Sequence, residues 1–474
     1  MQSNNISTAT RFFIFLVIAS LVTLSPSLKV IPRDIIVTSF HDNQRLVELL
    51  LVTLVLLYSA FSSNREEYST ANQSMSFMLY MLMTLAIASS CLAISQRHAA
   101  LEISLFAGLS YLAIFIANLY HENKTLLIKR LTYMFWASIL LCMVSFYVGY
   151  ITAIIFSTPV KWPNPLTGFS NIRFFNQYQL WTLGLITLPL LKTNFVSSNS
   201  RRWLHLALSF WFVLLFFSAS RGALLAWIFG ISITAIVYKK SAWSFIRLQI
   251  IHLSTGYLVY KILFFIIPSL MEAAVIIPGS IIRDTTSDRL DLWKLSLNLI
   301  QEHPYFGIGP MSYAWVSKIS SHPHNSVLQL MSEWGLPAAF IIFYLVIYGL
   351  ISWLRKFNAI SLKDNLKFDS NLAIILFFTL CTCSVYSLVD GVIVMPISQV
   401  MMFTFIGLAI GFYSESMSVK VKHSTLFKSI FASIVLVALI WSTLPEILQS
   451  AVGNEKHFSI SYTATGPRIW VEVK

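Results

Sequence analysis

Apolar runs of roughly 17 to 22 residues recur along nearly all of this 474-residue chain, and a helix needs about 20 residues to cross a hydrocarbon core about 30 Å thick. Inside such a core every backbone N–H and C=O must be bonded by protein, which leaves helices or a closed barrel. Runs of this length select the helix. They fall near residues 12–28, 46–62, 75–95, 100–119, 131–155, 177–192, 203–218, 222–238, 249–268, 326–354, 371–388, 398–413 and 429–446. Only 11% of the residues are charged, against about 25% in soluble domains. The first run lacks a small-residue cleavage site and more spans follow it, so it reads as a membrane helix. These features predict an all-α polytopic membrane protein with about 12–13 transmembrane helices. Residues 1–446 form its helical domain, 269–325 a long loop, and 447–474 a short tail.

The basic residues orient the spans. The segments 121–130, 192–202, 239–247, 355–367 and 418–428 are rich in Lys and Arg, and such loops stay on the cytoplasmic side. With a cytoplasmic N-terminus this places the loops at 157–176, 218–221 and 269–325, the 389–396 turn and the tail on the outer side. The net charge of +13 is then accounted for by orientation and anionic lipid, and no basic patch suggests a nucleic-acid partner. Cys91, Cys142, Cys381 and Cys383 all lie in or beside apolar runs, and Cys381-Thr-Cys383 has the wrong spacing for a CxxC pair.

Arginines recur on the outer side against the orientation bias: Arg173, Arg221, Arg283 and Arg289. The planar guanidinium suits bidentate capture of phosphate oxygens, so an anionic substrate is one reason for them; snorkelling or surface ion pairing is the plainer alternative. Around Arg173, Asn176 and Gln179 stand among aromatic residues, a mixture that can hold sugars or form an interfacial belt.

The densest polar stretch runs from Arg283 to Pro337. It contains a Gly307-Ile-Gly309 turn and then His322-Pro-His324-Asn325 before an apolar helix. Ser326-x-x-Gln329 has the form of a capping box, so the helix is expected to start at Asn325 or Ser326. His324 then stands just outside a helix N-terminus, where a neutral imidazole is favoured and anions are attracted. It is the candidate general base. His322 and Asn325 are weaker substrate contacts, and Glu333 and Asp390 are acids near outer helix ends that could assist the base, hold the acceptor or simply pair with an arginine. A zinc site on His322, His324 and His303 lacks a third ligand at recognisable spacing. A magnesium site on Asp288 and Asp291 competes with their pairing to Arg289. No Walker, GxGxxG, HExxH or GxSxG motif occurs.

Arg289-x-x-x-Trp293, His303-Pro304-x-x-Gly307-x-Gly309, His324-Asn325, Glu333-x-Gly335-Leu336 and Ser220-Arg221-Gly222 together resemble the O-antigen ligase superfamily. This superfamily also holds O-antigen polymerases and bacterial O-oligosaccharyltransferases that modify pilins. The resemblance implies a C-type glycosyltransferase fold in the bacterial inner membrane with the site facing the periplasm. It implies transfer of a glycan from undecaprenyl diphosphate to a hydroxyl of lipid A-core or of a pilin Ser or Thr, with inversion. His324 would be the base, Arg221 and Arg289 would hold the diphosphate, and neither metal nor other cofactor would be needed. A polymerase, or a transporter or flippase of lipid-linked glycan, is the alternative.

Overall fold

The computed structural model describes residues 40–61, 67–68, 73–158, 166, 168–191, 195–271, 289–317, 319–360, 367–414, 420–421 and 425–451. The span expected at 12–28, Arg283, Asp288 and the tail beyond residue 451 lie outside them. The main helices are α1 (Phe40–Phe61), α2 (Gln73–Cys91), α3 (Gln96–Ile155), α4 (Ile172–Ile186), α5 (Ser198–Phe217), α6 (Arg221–Tyr238) and α7 (Trp243–Lys261). They continue as α8 (Arg289–Glu302), α9 (Ser326–Trp334), α10 (Leu336–Ile360), α11 (Lys367–Tyr386), α12 (Pro396–Ser414) and α13 (Thr425–Ala451). Beyond helices there is a two-residue antiparallel pairing of Glu67–Tyr68 with Lys420–Val421.

Among the described residues, six helical stretches are long and apolar enough to cross a membrane, those at Gln96–Ile155 and Arg221–Leu270 running to 60 and 50 residues. At about 20 residues per crossing each of these two is long enough for two. The chain is an all-α, multi-pass membrane protein.

Two local expectations are corrected. Residues 121–130, expected as a loop, are helical, and the two spans meet at a break confined to Asn123 (φ −159°, ψ 83°). The span expected at 326–354 is two helices, parted at Gly335 with φ +84°. A Cβ there would lie 2.2 Å from the Tyr305 carbonyl oxygen, so only glycine fits this left-handed position. Asp291 faces Lys294 at 3.7 Å on an exposed surface.

The chain divides into two compact units, with boundaries at Asn123 and Lys124, Asp284 and Thr285, Ala359 and Ile360, and Tyr386 and Ser387. In the unit holding α4 to α7 and α11, α11 packs on α6 and α4, and α5 on α7. Its core is aromatic: Tyr178, Trp211, Phe175 and Phe217 are buried, and the Phe146 and Phe217 rings pack edge to face at 4.9 Å. In the other unit α1 packs on α12 and α13, and α8 on α9. Here small residues set the spacing: Gly407 and Gly411 lie against Ala113 and Tyr120 of α3. Such close backbone approach is how membrane helices gain packing contacts where lipid offers no hydrophobic drive.

Candidate functional site

Helix α9 carries the site and is fixed at both ends. Its N-cap is Asn325, whose side chain accepts from the Val327 and Leu328 amides at 3.0 and 3.1 Å. The helix starts where the sequence predicts, at Ser326, and the capping side chain is that of Asn325, not Ser326. Ser326 bonds outward instead, its amide and hydroxyl both donating to the Ser387 carbonyl at 2.9 and 3.0 Å, and Gln329 donates to Glu333 at 3.3 Å. At the other end, the carbonyls of Ser332 and Glu333 would be orphaned where the helix stops. The Gly307-Ile308-Gly309 turn supplies their donors: Ile308 N–H to Ser332 at 2.9 Å and Gly309 N–H to Glu333 at 3.0 Å. The turn read from sequence as merely tight thus closes the C-terminus of α9.

The Ser326–Ser387 tether brings a distant turn to the helix start. Three residues past Ser387, Asp390 is 1% exposed, and its Oδ1 stands 3.5 Å from His324 Nδ1 while accepting from the Gly391 amide at 2.7 Å. His324 has φ +53°, a left-handed conformation rare outside glycine and costing of order 1–3 kcal/mol where a structure holds it. The His322 and His324 rings lie 4.2 Å apart. A Cβ on Gly391 would come within 2.4 Å of His322 Nε2, so the glycine lets that ring approach the backbone. One donor atom from each of His322, His324 and Asp390 lies within 4.8 Å of the others. His303, the sequence candidate for a third ligand, is outside this group.

Two braces hold these parts. Trp293 of α8 donates its indole N–H to the Pro323 carbonyl at 3.1 Å, and Arg289, the partly buried first residue of α8, lies one turn before Trp293 on the same helical face. On the other flank, Arg45 of α1 reaches the Val394 carbonyl and Gln399, both at 2.6 Å, and Glu48 at 2.5 Å, spanning the far end of the turn that begins with Asp390. Arg45 escaped the sequence reading because it stands one residue before an apolar run. The polar block His41-Asp-Asn-Gln-Arg45, all buried, was the available signal: an arginine at a membrane-helix end needs a partner.

Glu333 is fully buried and accepts from the Tyr313 amide at 2.9 Å. It braces the loop before the site. Burial pushes the Tyr313 hydroxyl up to about 12, so it stays protonated and donates to the Leu292 carbonyl at 2.9 Å.

The remaining residues singled out from sequence belong to the other unit. Arg173 follows Asn171, which caps α4. Asn176 and Gln179 are buried and used internally: Asn176 donates to Ser218 at 2.9 Å and Gln179 to the Trp211 carbonyl at 2.7 Å. Asn176 therefore steadies the Ser218-Ala219-Ser220 turn, which leads to the exposed Arg221 at the start of α6.

Residues 206–344 match the family model for O-antigen ligase. Over this segment the chain is similar to the O-antigen ligase family. The O-antigen ligase match takes in Arg221, Arg289, His322, His324, Asn325 and Glu333 and stops short of Asp390. No curated protein matches the chain.

Proposed function

We propose that the protein is a metal-independent inverting glycosyltransferase of the bacterial inner membrane. It moves a glycan from undecaprenyl diphosphate to an acceptor hydroxyl at the periplasmic face. The O-antigen ligase match supports an enzyme acting on a lipid-linked glycan donor, and the apolar helices support its place in a membrane. The observation that carries the mechanism is the His324–Asp390 pair. A carboxylate facing Nδ1 favours the tautomer with its proton there, leaving the Nε2 lone pair free to take the acceptor proton. As the hydroxyl attacks the anomeric carbon, its proton passes to Nε2 and the glycosidic oxygen leaves with the diphosphate. The imidazolium that forms is stabilised by Asp390, as charge developing in a transition state is by a fixed opposite charge.

Arg289 is assigned to the leaving diphosphate, where a guanidinium binds oxygens in pairs; the same role for Arg221 rests on its family motif. Arg173 and Arg283 are held as secondary contacts. Lipid A-core and a pilin Ser or Thr are the two acceptors the family resemblance supports.

Purified protein given undecaprenyl-diphosphate oligosaccharide and each acceptor tests this. Transfer to one of them with inverted anomeric configuration by NMR is expected. Retained configuration contradicts the single displacement, and transport of the donor without transfer would establish a flippase instead.

A further inference from the structure

The zinc reading of the sequence failed for want of a third ligand, and the fold supplies one. The geometry points to His322, His324 and Asp390 as an inhibitory site for a transition-metal dication of the zinc class, one that switches His324 off by fixing the wrong tautomer. This rests on the reading of His324 as the base.

Three observations support the site. One nitrogen or oxygen from each residue lies within 4.8 Å of the other two, so an ion ligated at about 2.0–2.2 Å needs them to close in by roughly an ångström. His322 and Asp390 are 4% and 1% exposed, and a closely approaching glycine, Gly391, gives His322 its place. Two imidazoles with one carboxylate form a donor set suited to zinc, copper or nickel, whereas magnesium wants oxygen ligands. Ser320 and Ser321 also face the rings, at 3.5 Å from His324 Nε2 and 3.3 Å from His322 Nδ1, and carry no charge that would oppose a cation.

The consequence follows from the imidazole ring. His324 turns Nδ1 to Asp390. A cation between them takes the Nδ1 lone pair, and the one proton of the neutral ring then sits on Nε2. That nitrogen becomes a donor where the reaction needs an acceptor. No net proton is gained or lost, the ion gives up water for the ring, and Asp390 becomes a ligand instead of a tautomer-setting partner.

The test uses full-length protein in detergent, stripped with EDTA and freed of it. Zinc alone is titrated against a fluorescent zinc chelator, and transfer is measured in parallel. Expected are about one tight site per chain, weakened by more than about tenfold in His322→Ala and Asp390→Ala, and intact in His303→Ala. H322Q carries the same test if either variant fails to fold. Transfer by the stripped wild type should fall with the same midpoint, return with EDTA, and ignore an equal concentration of magnesium. Zinc binding unchanged by these substitutions, or binding without loss of transfer, overturns the proposal. So does a stripped protein that transfers only when zinc is restored. Should zinc bind as expected while no condition gives transfer, the ion site stands and the transferase reading falls, together with the inhibition.

Discussion

Replacing Asp390 with asparagine removes one negative charge from beside His324 and little else, since the amide oxygen can still accept from the Gly391 N–H. The pair is 3.5 Å apart. At that separation Coulomb's law gives about 5 kcal/mol at an effective dielectric of about 20 and about 1 kcal/mol in bulk water. Asp390 is 1% exposed and the His324 side chain 14%, which places the interaction toward the upper end; the desolvation of the carboxylate offsets part of it. Each 1.36 kcal/mol is about tenfold in rate, so Asp390→Asn should lower kcat by about a hundredfold, within limits of roughly tenfold and a few thousandfold. The charge pair forms fully only when His324 has taken the proton, so kcat should fall while the donor KM stays near its wild-type value. Initial rates of glycan transfer over a range of donor concentrations measure both. A variant with unchanged kcat, or one whose loss is confined to KM, would refute the assignment of Asp390 as the partner of the base.

Gly391→Ala puts a Cβ 2.4 Å from His322 Nε2; overpacking of this kind costs about 1–3 kcal/mol, and transfer should drop by at least about tenfold, measured beside the thermal midpoint. Asn325→Ala removes the cap of α9 and should destabilise by about 1 kcal/mol, read as a lower midpoint in thermal unfolding. Arg45→Met breaks the bonds to Val394 and Gln399 and leaves Glu48 buried without its cation; truncating one partner of a buried ion pair costs about 3–5 kcal/mol. If Arg45 serves to position Asp390, Arg45→Lys should restore the midpoint more fully than it restores kcat, because one ammonium cannot reproduce the fork.

The helices were legible because the requirement they answer to is local. A membrane span has to bond its own backbone, and the apolar runs announce it. The turn between the spans at 222–238 and 249–268 was likewise foreseen; it is a short 3-10 turn at Lys239–Ala242. Where the reading slipped, two local signals competed or none was visible. Ser326 and Asn325 are both good caps, and the Ser387 carbonyl, far along the chain, decided between them by taking the serine. Gly335 lay inside an apolar run and carried no mark of its positive φ, because the reason for it is the Tyr305 backbone pressed against it. His324 was singled out from its place before a helix. Asp390 was singled out only as one of two acids that could assist the base or hold the acceptor, since nothing in the sequence joins the 389–396 turn to α9. Asn176 and Gln179 looked like sugar-binding amides because composition cannot distinguish an amide facing a cleft from one spent on Ser218 and Trp211.

The most direct measurement is single-turnover transfer by His324→Ala beside equilibrium binding of the same undecaprenyl-diphosphate donor. Loss of the chemical step by at least about a hundredfold is expected, with donor affinity within a few-fold of wild type. Transfer at the wild-type rate in the alanine variant, with donor still bound, would contradict the assignment of His324 as the base.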